Sequence, residues 1–237
     1  MSKIIFFVLL LFSIFHLWGK DLETVDIKIE NSIKGQKVVI EIIPGEGWIH
    51  KKPYNQPPQF AIWIENEKGE FLETIYVTKK TAKQGWRFSG GSRRKESLPV
   101  WGHSRGIKYG DSLYLPTKKE PLPDGITSQT PRAGSRIYAE LPAGKKIIFI
   151  FVEINHSVDW NSFYPENSEK NGQPSVVYSA AVNTENLFKG EKYLLKPIGT
   201  GSPDGGRGGV FDKIKTLTSA LDIVKSISLK KINSNGE

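Results

Sequence analysis

The sequence predicts an all-β protein, an immunoglobulin-like antiparallel β-sandwich with long loop insertions. Short segments alternate apolar and polar residues or are rich in β-branched and aromatic types, and turn residues bound most of them. Helical periodicity is almost absent, and short strands in this number are typical of a sandwich. The predicted strands are 24–30, 37–43, 59–65, 71–78, 136–141, 146–153, 176–182, 193–196 and 223–229.

The chain begins with the layout of a secretory signal peptide, predicted over 1–19. Lys3 precedes an apolar run over 4–15, in which Ser13 is the one polar residue. The following residues match the small-residue cleavage pattern poorly, so an uncleaved anchor is the alternative, although a bilayer span needs about 20 apolar residues. We therefore expect a periplasmic or otherwise extracytoplasmic bacterial protein, secreted with one sandwich domain over 20–232 and a disordered tail over 233–237.

Composition narrows the kinds of partner. The chain has no cysteine, so it must rely on its core without disulfides or thiolate metal sites. Its net charge of +8, to which Lys3 contributes one, favours anionic partners such as membrane surfaces, acidic glycans or nucleotide phosphates. A solvated lysine-rich surface is the alternative. Nucleic acid is not expected, because no recognisable binding motif is present.

Turn residues predict where the chain reverses. The segment 32–35 is expected to join the first two strands as a hairpin, 66–69 the third and fourth, and 142–144 the fifth and sixth. A helical turn or two is expected over 213–220, before the final strand.

The stretch 82–135 lacks strand periodicity and is far longer than an ordinary connection. Loops of more than about 15 residues are usually functional or disordered. This one is too aromatic for a disordered linker, so we expect it to pack over one end or face of the sandwich. Its aromatic residues include Trp86, Phe88, Trp101, Tyr109 and Tyr114. Two further long loops, 155–174 and 199–212, are also rich in turn residues.

Three stretches resemble an uncharacterised family of predicted periplasmic bacterial proteins, a domain of unknown function. They are Phe-Ala-Ile-Trp-Ile-Glu at 60–65, Ser-Arg-Arg at 92–94 with Leu-Pro-Val-Trp at 98–101, and Gly-Gln-Pro-Ser-Val-Val-Tyr at 172–178. The resemblance covers 24–231. It implies a sandwich related to modules of flagellar hook-capping proteins, and the company of extracytoplasmic flavin-linked redox proteins.

One short motif in the long loop suggests a cofactor, flavin mononucleotide (FMN). Asp124, Thr127 and Thr130 resemble the acceptor motif of exported proteins that carry FMN through a phosphoester bond. The resemblance implies that Thr130 is the acceptor hydroxyl, with Asp124 the leading acid and Thr127 the middle hydroxyl. Ser128 and Gln129 stand where that motif has glycine and alanine, so an ordinary polar turn is the favoured alternative.

A basic and aromatic cluster in the same loop predicts ligand binding. Arginine forks bind phosphate or carboxylate through two hydrogen bonds, and an indole offers a stacking face, which suits a flavin, a nucleotide or an acidic sugar. The alternative is that the arginines pair with acids while the tryptophan packs beneath the loop. The predicted ligand-binding residues are Arg93, Arg94, Trp101, His103 and Arg105, with Lys95 beside them.

The histidines do not follow a recognised metal-ligand spacing. His156 lies among oxygen and nitrogen ligands, and a transition-metal site there would need Asp159 or Glu153 and a histidine from another loop. A loop histidine with local hydrogen bonds is the favoured alternative, so no metal ligand is assigned. The glycine-rich segment 199–209 lacks the ending of a phosphate loop and is interpreted as a mobile connection.

The sequence assigns no catalytic residues, because it has no Gly-x-Ser-x-Gly elbow and no recognisable acid pair. The first hypothesis is a non-catalytic binding or accessory protein. Its long loop would bind an envelope or redox partner protein or an anionic small molecule, in a setting of flavin-linked electron transfer. Membrane contact is expected only through an uncleaved leader. The alternatives are a metal-binding or enzymatic protein using His103 and His156, and a structural module of the cell envelope.

Overall fold

The computed structural model describes residues 24–50, 55–84, 86, 93–123, 126–144, 147–166, 171–187 and 191–232. The predicted leader over 1–19, Asp124 of the predicted flavin motif and the predicted tail over 233–237 lie outside the described residues. No helix within these ranges combines the length and the apolar character that crossing a membrane requires.

Strands dominate the described chain, and two short α-helices interrupt them. The strands are β1 Val25–Lys28, β2 Gly35–Pro44, β3 Gln59–Asn66, β4 Phe71–Thr78, β5 Thr127–Ser128, β6 Ser135–Pro142, β7 Ile147–Asn155, β8 Val176–Asn183, β9 Lys192–Thr200 and β10 Val224–Lys231. The helices are α1 Lys79–Lys83 and α2 Pro99–Ser104, with 3-10 turns at Thr184–Asn186, Ile214–Thr216 and Ser219–Ile223.

The strands form one curled sheet in the order β1-β6-β2-β10-β9-β8-β7-β3-β4-β5. The protein is therefore all-β, as the sequence predicts. Most neighbours are antiparallel, but β1 runs parallel to β6 and β5 runs parallel to β4. Strand β9 links the two halves, because its first half pairs with β10 and its second half pairs with β8.

Alternation along the strands directs side chains to a common core. Phe60, Ile62 and Ile64 of β3 join a large apolar cluster that also receives side chains from β2, β6 and β10 in the other half of the sheet. Because both halves contribute to the same cluster, the curl of the sheet encloses the main core. Each fully buried aliphatic side chain contributes about 1.5–3 kcal/mol relative to exposure.

The long loop packs on the outer face of β3, as its aromatic content predicts. Ala61 and Trp63 alternate with the inward residues of β3 and join a second cluster, whose loop members include Leu98 and Trp101. Trp101 is fully buried. Strand β3 is therefore covered on both faces, by the main core and by the loop.

One of the three predicted hairpins is confirmed. The turn at 66–69 joins β3 to β4, which pair antiparallel. The other two predictions are wrong. Strand β1 pairs with β6 and not with β2, and β6 pairs with β1 and β2 and not with β7. In both cases the turn residues mark a change of direction, but the next strand already has other neighbours on its two edges.

Candidate functional site

A cavity of about 230 Å³ lies where the long loop meets the glycine-rich segment. We call it the basic cavity. Its wall includes Lys95, His103 and Lys108 from the long loop and Gly205 and Gly206 from the glycine-rich segment. Two segments that are distant in the sequence therefore build one pocket. Among the described residues that line it, none carries a carboxylate.

Helix α2 forms one wall of the basic cavity. Pro99 occupies the start of the helix, where its fixed φ angle suits the first turn and no amide proton is needed. Trp101 anchors the helix from below, since its indole Nε1 donates to Thr74 Oγ1 of β4 over 3.0 Å. The next turn brings His103 to the cavity wall.

Glu153 of β7 holds the first turn of α2. Its carboxylate accepts hydrogen bonds from the amides of Val100 at 3.2 Å and Trp101 at 2.8 Å, and from the Ser175 hydroxyl at 2.5 Å. The side chain is fully buried. Burial raises the pKa of Glu153 to about 7, although the three hydrogen bonds act to lower it.

The opposite wall depends on glycine. Gly205 has a φ of +67°, and a Cβ there would fall 2.3 Å from the Lys95 carbonyl carbon, so only glycine fits. A Cβ on Gly208 would fall 2.1 Å from the His103 Cβ. The glycine-rich segment therefore lies directly against the long loop. Asp204 stabilises its turn by accepting from the Gly206 amide over 3.0 Å.

The positive groups of the basic cavity lack carboxylate partners. Neither Lys95 nor Lys108 forms an ion pair with a carboxylate in the part of the chain that the structure describes. The His103 ring stacks on Tyr114 at 4.2 Å, and its Nδ1 lies 2.8 Å from the Pro99 carbonyl oxygen, where it donates. Among the described residues, no hydrogen bond involves Nε2 of His103. The wall thus presents two ammonium groups and one imidazole.

The predicted arginines lie beside the basic cavity, outside its lining. Arg93 donates to Asp111 and to the Leu115 carbonyl oxygen. The guanidinium of Arg94 lies 4.9 Å from the ring centroid of Trp86.

Arg105 lies between two aromatic side chains. Its guanidinium is 5.1 Å from the Trp101 ring, and its Nη2 donates to the Tyr109 hydroxyl over 3.1 Å. Of the five predicted ligand-binding residues, His103 lines the cavity, while the other four contact one another or other residues of the same loop and the core.

The two described threonines of the predicted flavin motif, Thr127 and Thr130, lie in β5 and just after it. Thr127 belongs to β5, which pairs with the end of β4. Thr130 is half-buried, and its hydroxyl lies 3.5 Å from Gln59 Nε2, which donates to it. Neither threonine lines the basic cavity. The assignment of Thr130 as an FMN acceptor stays a prediction.

A second pocket, of about 380 Å³, contains two histidines and is here called the histidine pocket. His50 and His156 lie with ring centroids 5.2 Å apart, and His50 Nε2 is 3.8 Å from Asp159 Oδ1. Glu46 also lines this pocket. The fold thus brings a histidine from another loop beside His156 and Asp159.

His156 is held as a neutral donor. Its Nε2 donates to the carbonyl oxygens of Gly47 and Trp48, both at 3.1 Å. Burial lowers the pKa of His156 to about 4, with His50 acting in the same direction and the two carbonyl groups opposing them. Over the described ranges, no three His, Cys, Asp or Glu side chains form a group that could hold a metal ion.

His103 and His156 line different pockets, and the two linings share no residue. The structure therefore gives no common site to the pair that the enzymatic alternative names. The sequence did not predict the contact of Glu153 with α2. It also did not predict that Lys108, Gly205 and Gly206 line the cavity, because nothing in the order of residues indicates that 199–209 lies against α2.

Comparison of the chain with protein-family models, with curated proteins and with solved structures found no match. The resemblance to a family of periplasmic proteins therefore stays a prediction.

Proposed function

We propose that this chain is an exported, non-catalytic β-sandwich protein that binds a small anionic ligand in the basic cavity. One observation carries the proposal. Lys95, His103 and Lys108 converge on a cavity of about 230 Å³ whose described lining holds no carboxylate. Cationic groups that form no ion pair within the described residues and that line a concave site favour an anion.

The surroundings support this proposal because they fix the position of the charged groups. Trp101 and Glu153 attach α2 to strands β4 and β7, and Gly205 and Gly208 bring the glycine-rich segment into close contact with Lys95 and His103. A ligand that binds such a preformed wall does not have to order a loop. Phosphate and carboxylate groups share the required chemistry.

Sulfate is a suitable probe, since it keeps the same charge over the useful pH range. We expect saturable binding by isothermal titration calorimetry at pH 6. The double variant Lys95→Gln and Lys108→Gln should raise Kd by about tenfold or more, since both ammonium groups are lost. The matched control is Lys196→Gln with Lys225→Gln, which removes the same charge from exposed positions outside the pocket linings.

Two outcomes would overturn the anion site. The first is that the wild-type chain does not bind sulfate. The second is that the control pair weakens binding as much as the cavity pair, because the binding would then follow net charge and not the basic cavity.

We also propose that the curled sheet is a sandwich of the immunoglobulin type. The shared core between β2, β6 and β10 on one side and β3, β7 and β8 on the other supports this. In an experimental structure the mean strand directions of the two halves should differ by about 30°. An angle near 90° would contradict the aligned sandwich.

We also propose export and, more narrowly, flavin attachment, and the mass of the intact protein tests each of them. The intact mass of the protein from a periplasmic fraction should correspond to loss of 1–19, as the leader layout predicts. An added mass of one FMN on Thr130, after co-expression with a flavin transferase, would support the redox setting, and an unmodified mass would remove it. A protein partner in the envelope or in a redox chain stays a prediction.

A further inference from the structure

We propose that anion binding in the basic cavity takes up a proton at Glu153, which makes the cavity a proton-coupled anion site. This inference rests on the proposed function and adds a second ligand, the proton, to the same site. The carboxyl group lies outside the cavity lining, directly behind its wall.

Contacts around Pro99 place Glu153 close to the wall of the basic cavity. Its carboxylate accepts from the amide of Val100, the residue after Pro99, and Pro99 lines the cavity. On the glycine-rich side, a Cβ built on Gly201 would fall 2.7 Å from Pro99 Cγ and 2.9 Å from Glu153 Oε1. Pro99 therefore lies near the Glu153 carboxylate and also lines the cavity.

The charge of Glu153 is not compensated by a cation. The side chain is 0% exposed, and no described Lys, Arg or His lies within ion-pair distance of it. Its hydrogen-bond partners are two amides and one hydroxyl. A bound anion would place a second negative charge across a wall that excludes water, and like charges at short range favour the protonated form of the carboxyl.

The site can accept the proton without losing all of its hydrogen bonds. A proton from bulk solvent would add to Oε1, and the new O–H would donate to the Ser175 oxygen, which lies 2.5 Å away. Oε2 would still accept from the Trp101 amide at 2.8 Å. The longer bond from the Val100 amide, at 3.2 Å, is the one that weakens.

The other titratable groups near Glu153 belong to the wall of the basic cavity and to the glycine-rich segment. His103 on α2 lines the cavity. Lys95, Lys108 and Tyr114 of the long loop line the cavity, and Asp204 belongs to the glycine-rich segment. Hydrogen bonds from Ser202 and the Gly206 amide, together with the charge of Lys95, lower the pKa of Asp204, so it stays ionised.

Calorimetry of sulfate binding at pH 8 in two buffers of different ionisation enthalpy measures the protons taken up. We expect net uptake by the wild-type chain and by His103→Gln. Glu153→Gln, which resembles the protonated acid, should bind sulfate about tenfold more tightly than the wild type at pH 8, with the uptake lost. Glu46→Gln removes one negative charge from the histidine pocket and should behave as the wild type.

The alternatives are distinguishable. Sulfate binding with no proton uptake, or equal uptake by the wild type and Glu153→Gln, overturns the coupling but leaves the anion site. Absence of sulfate binding to the wild type at both pH 6 and pH 8 overturns the anion site and the coupling with it. If Glu153→Gln does not fold, Kd of His103→Gln decides, since the coupling requires it to rise about tenfold from pH 6 to pH 8.

Discussion

The two pockets differ in the charge of their walls and in the buried group beside each. The basic cavity presents Lys95 and Lys108, and the carboxyl behind its wall is Glu153. The histidine pocket presents Glu46 and Asp159, and its buried group is His156. Each buried group resists the charge that it would carry in water.

The two pockets also differ in whether the protein itself supplies partners for the charged groups that line them. Both carboxylate oxygens of Asp159 already have donors, Ser219 Oγ at 2.7 Å and Gln173 Nε2 at 3.0 Å. The ammonium groups of Lys95 and Lys108 have no described carboxylate partner. Ammonium groups that form no ion pair favour an anion, whereas Asp159 and His156 of the histidine pocket already have hydrogen-bond partners within the protein.

The largest expected effect is a loss of stability when the buried tryptophan that holds α2 on the sheet is removed. Trp101→Ala should lower the free energy of unfolding by about 3–5 kcal/mol, because it empties the second core cluster and removes the hydrogen bond to Thr74. Urea unfolding measures the loss. Sulfate binding should be lost in the fraction that remains folded, since α2 loses its anchor.

The matched change in the other region is Trp48→Ala. Trp48 is also buried, and its Nε1 donates to the Pro131 carbonyl oxygen over 3.1 Å. A similar loss of stability is expected, with sulfate affinity of the folded fraction unchanged. If Trp48→Ala abolished sulfate binding as Trp101→Ala does, the two regions would not be independent.

The next effect concerns pH and stability. The pKa of Glu153 is about 7 in the folded chain and 4.5 in an unstructured peptide, so the folded state binds more protons between these values. The free energy of unfolding therefore falls by about 3 kcal/mol as pH rises from 4.5 to 7. The pKa of His156 is about 4 against 6.5, so its contribution rises by about as much from pH 4 to 6.5.

The two opposing changes in the free energy of unfolding nearly cancel in the wild type from pH 4.5 to 6.5. Single variants separate them. Relative to the wild type, Glu153→Gln should gain stability with rising pH, and His156→Gln should lose it. Urea unfolding from pH 4 to 8 gives both differences. A variant whose curve runs parallel to that of the wild type would show that the replaced group keeps an ordinary pKa in the folded chain.

A smaller effect tests the contact between the glycine-rich segment and α2. Gly208→Ala should cost about 1–3 kcal/mol and weaken sulfate binding, because the new methyl group would displace His103. Gly209→Ala is the matched control, since its Cβ would meet only Phe211 Cζ at 4.0 Å. Thermal unfolding and calorimetry of the pair measure the difference. Equal behaviour of the two variants would contradict the close contact.

The strands were predictable because alternation and β-branched residues mark half-buried segments directly. Strand β5 was not, since two residues, Thr127–Ser128, carry no period, and their pairing with β4 depends on the whole loop. Helix α2 had one local signal, Pro99 at its first position, but six residues are too few for helical periodicity. Strand partners failed where a turn joins strands that are not neighbours.

The candidate site was predictable only in part. The basic residues of the long loop, which include Lys95 and His103, predicted one of the two segments that form the basic cavity. Its second wall could not be foreseen, because the approach of Gly205 to Lys95 depends on backbone contacts between segments about a hundred positions apart. Glu153 is fully buried, and its role depends on this burial. The alternation of residues in β7 could not predict it, because an exposed acid would fit the same pattern.

The most direct test of the anion site is a sulfate titration followed by the backbone amide resonances of the ¹⁵N-labelled chain at pH 6. We predict saturable shifts, with one common Kd, at Gly102, His103, Gly205 and Gly206 of the basic cavity. The amides of Gly47 and Ile49 in the histidine pocket should not move. Shifts confined to the histidine pocket, or no saturable shift at the basic cavity, would contradict the proposed function.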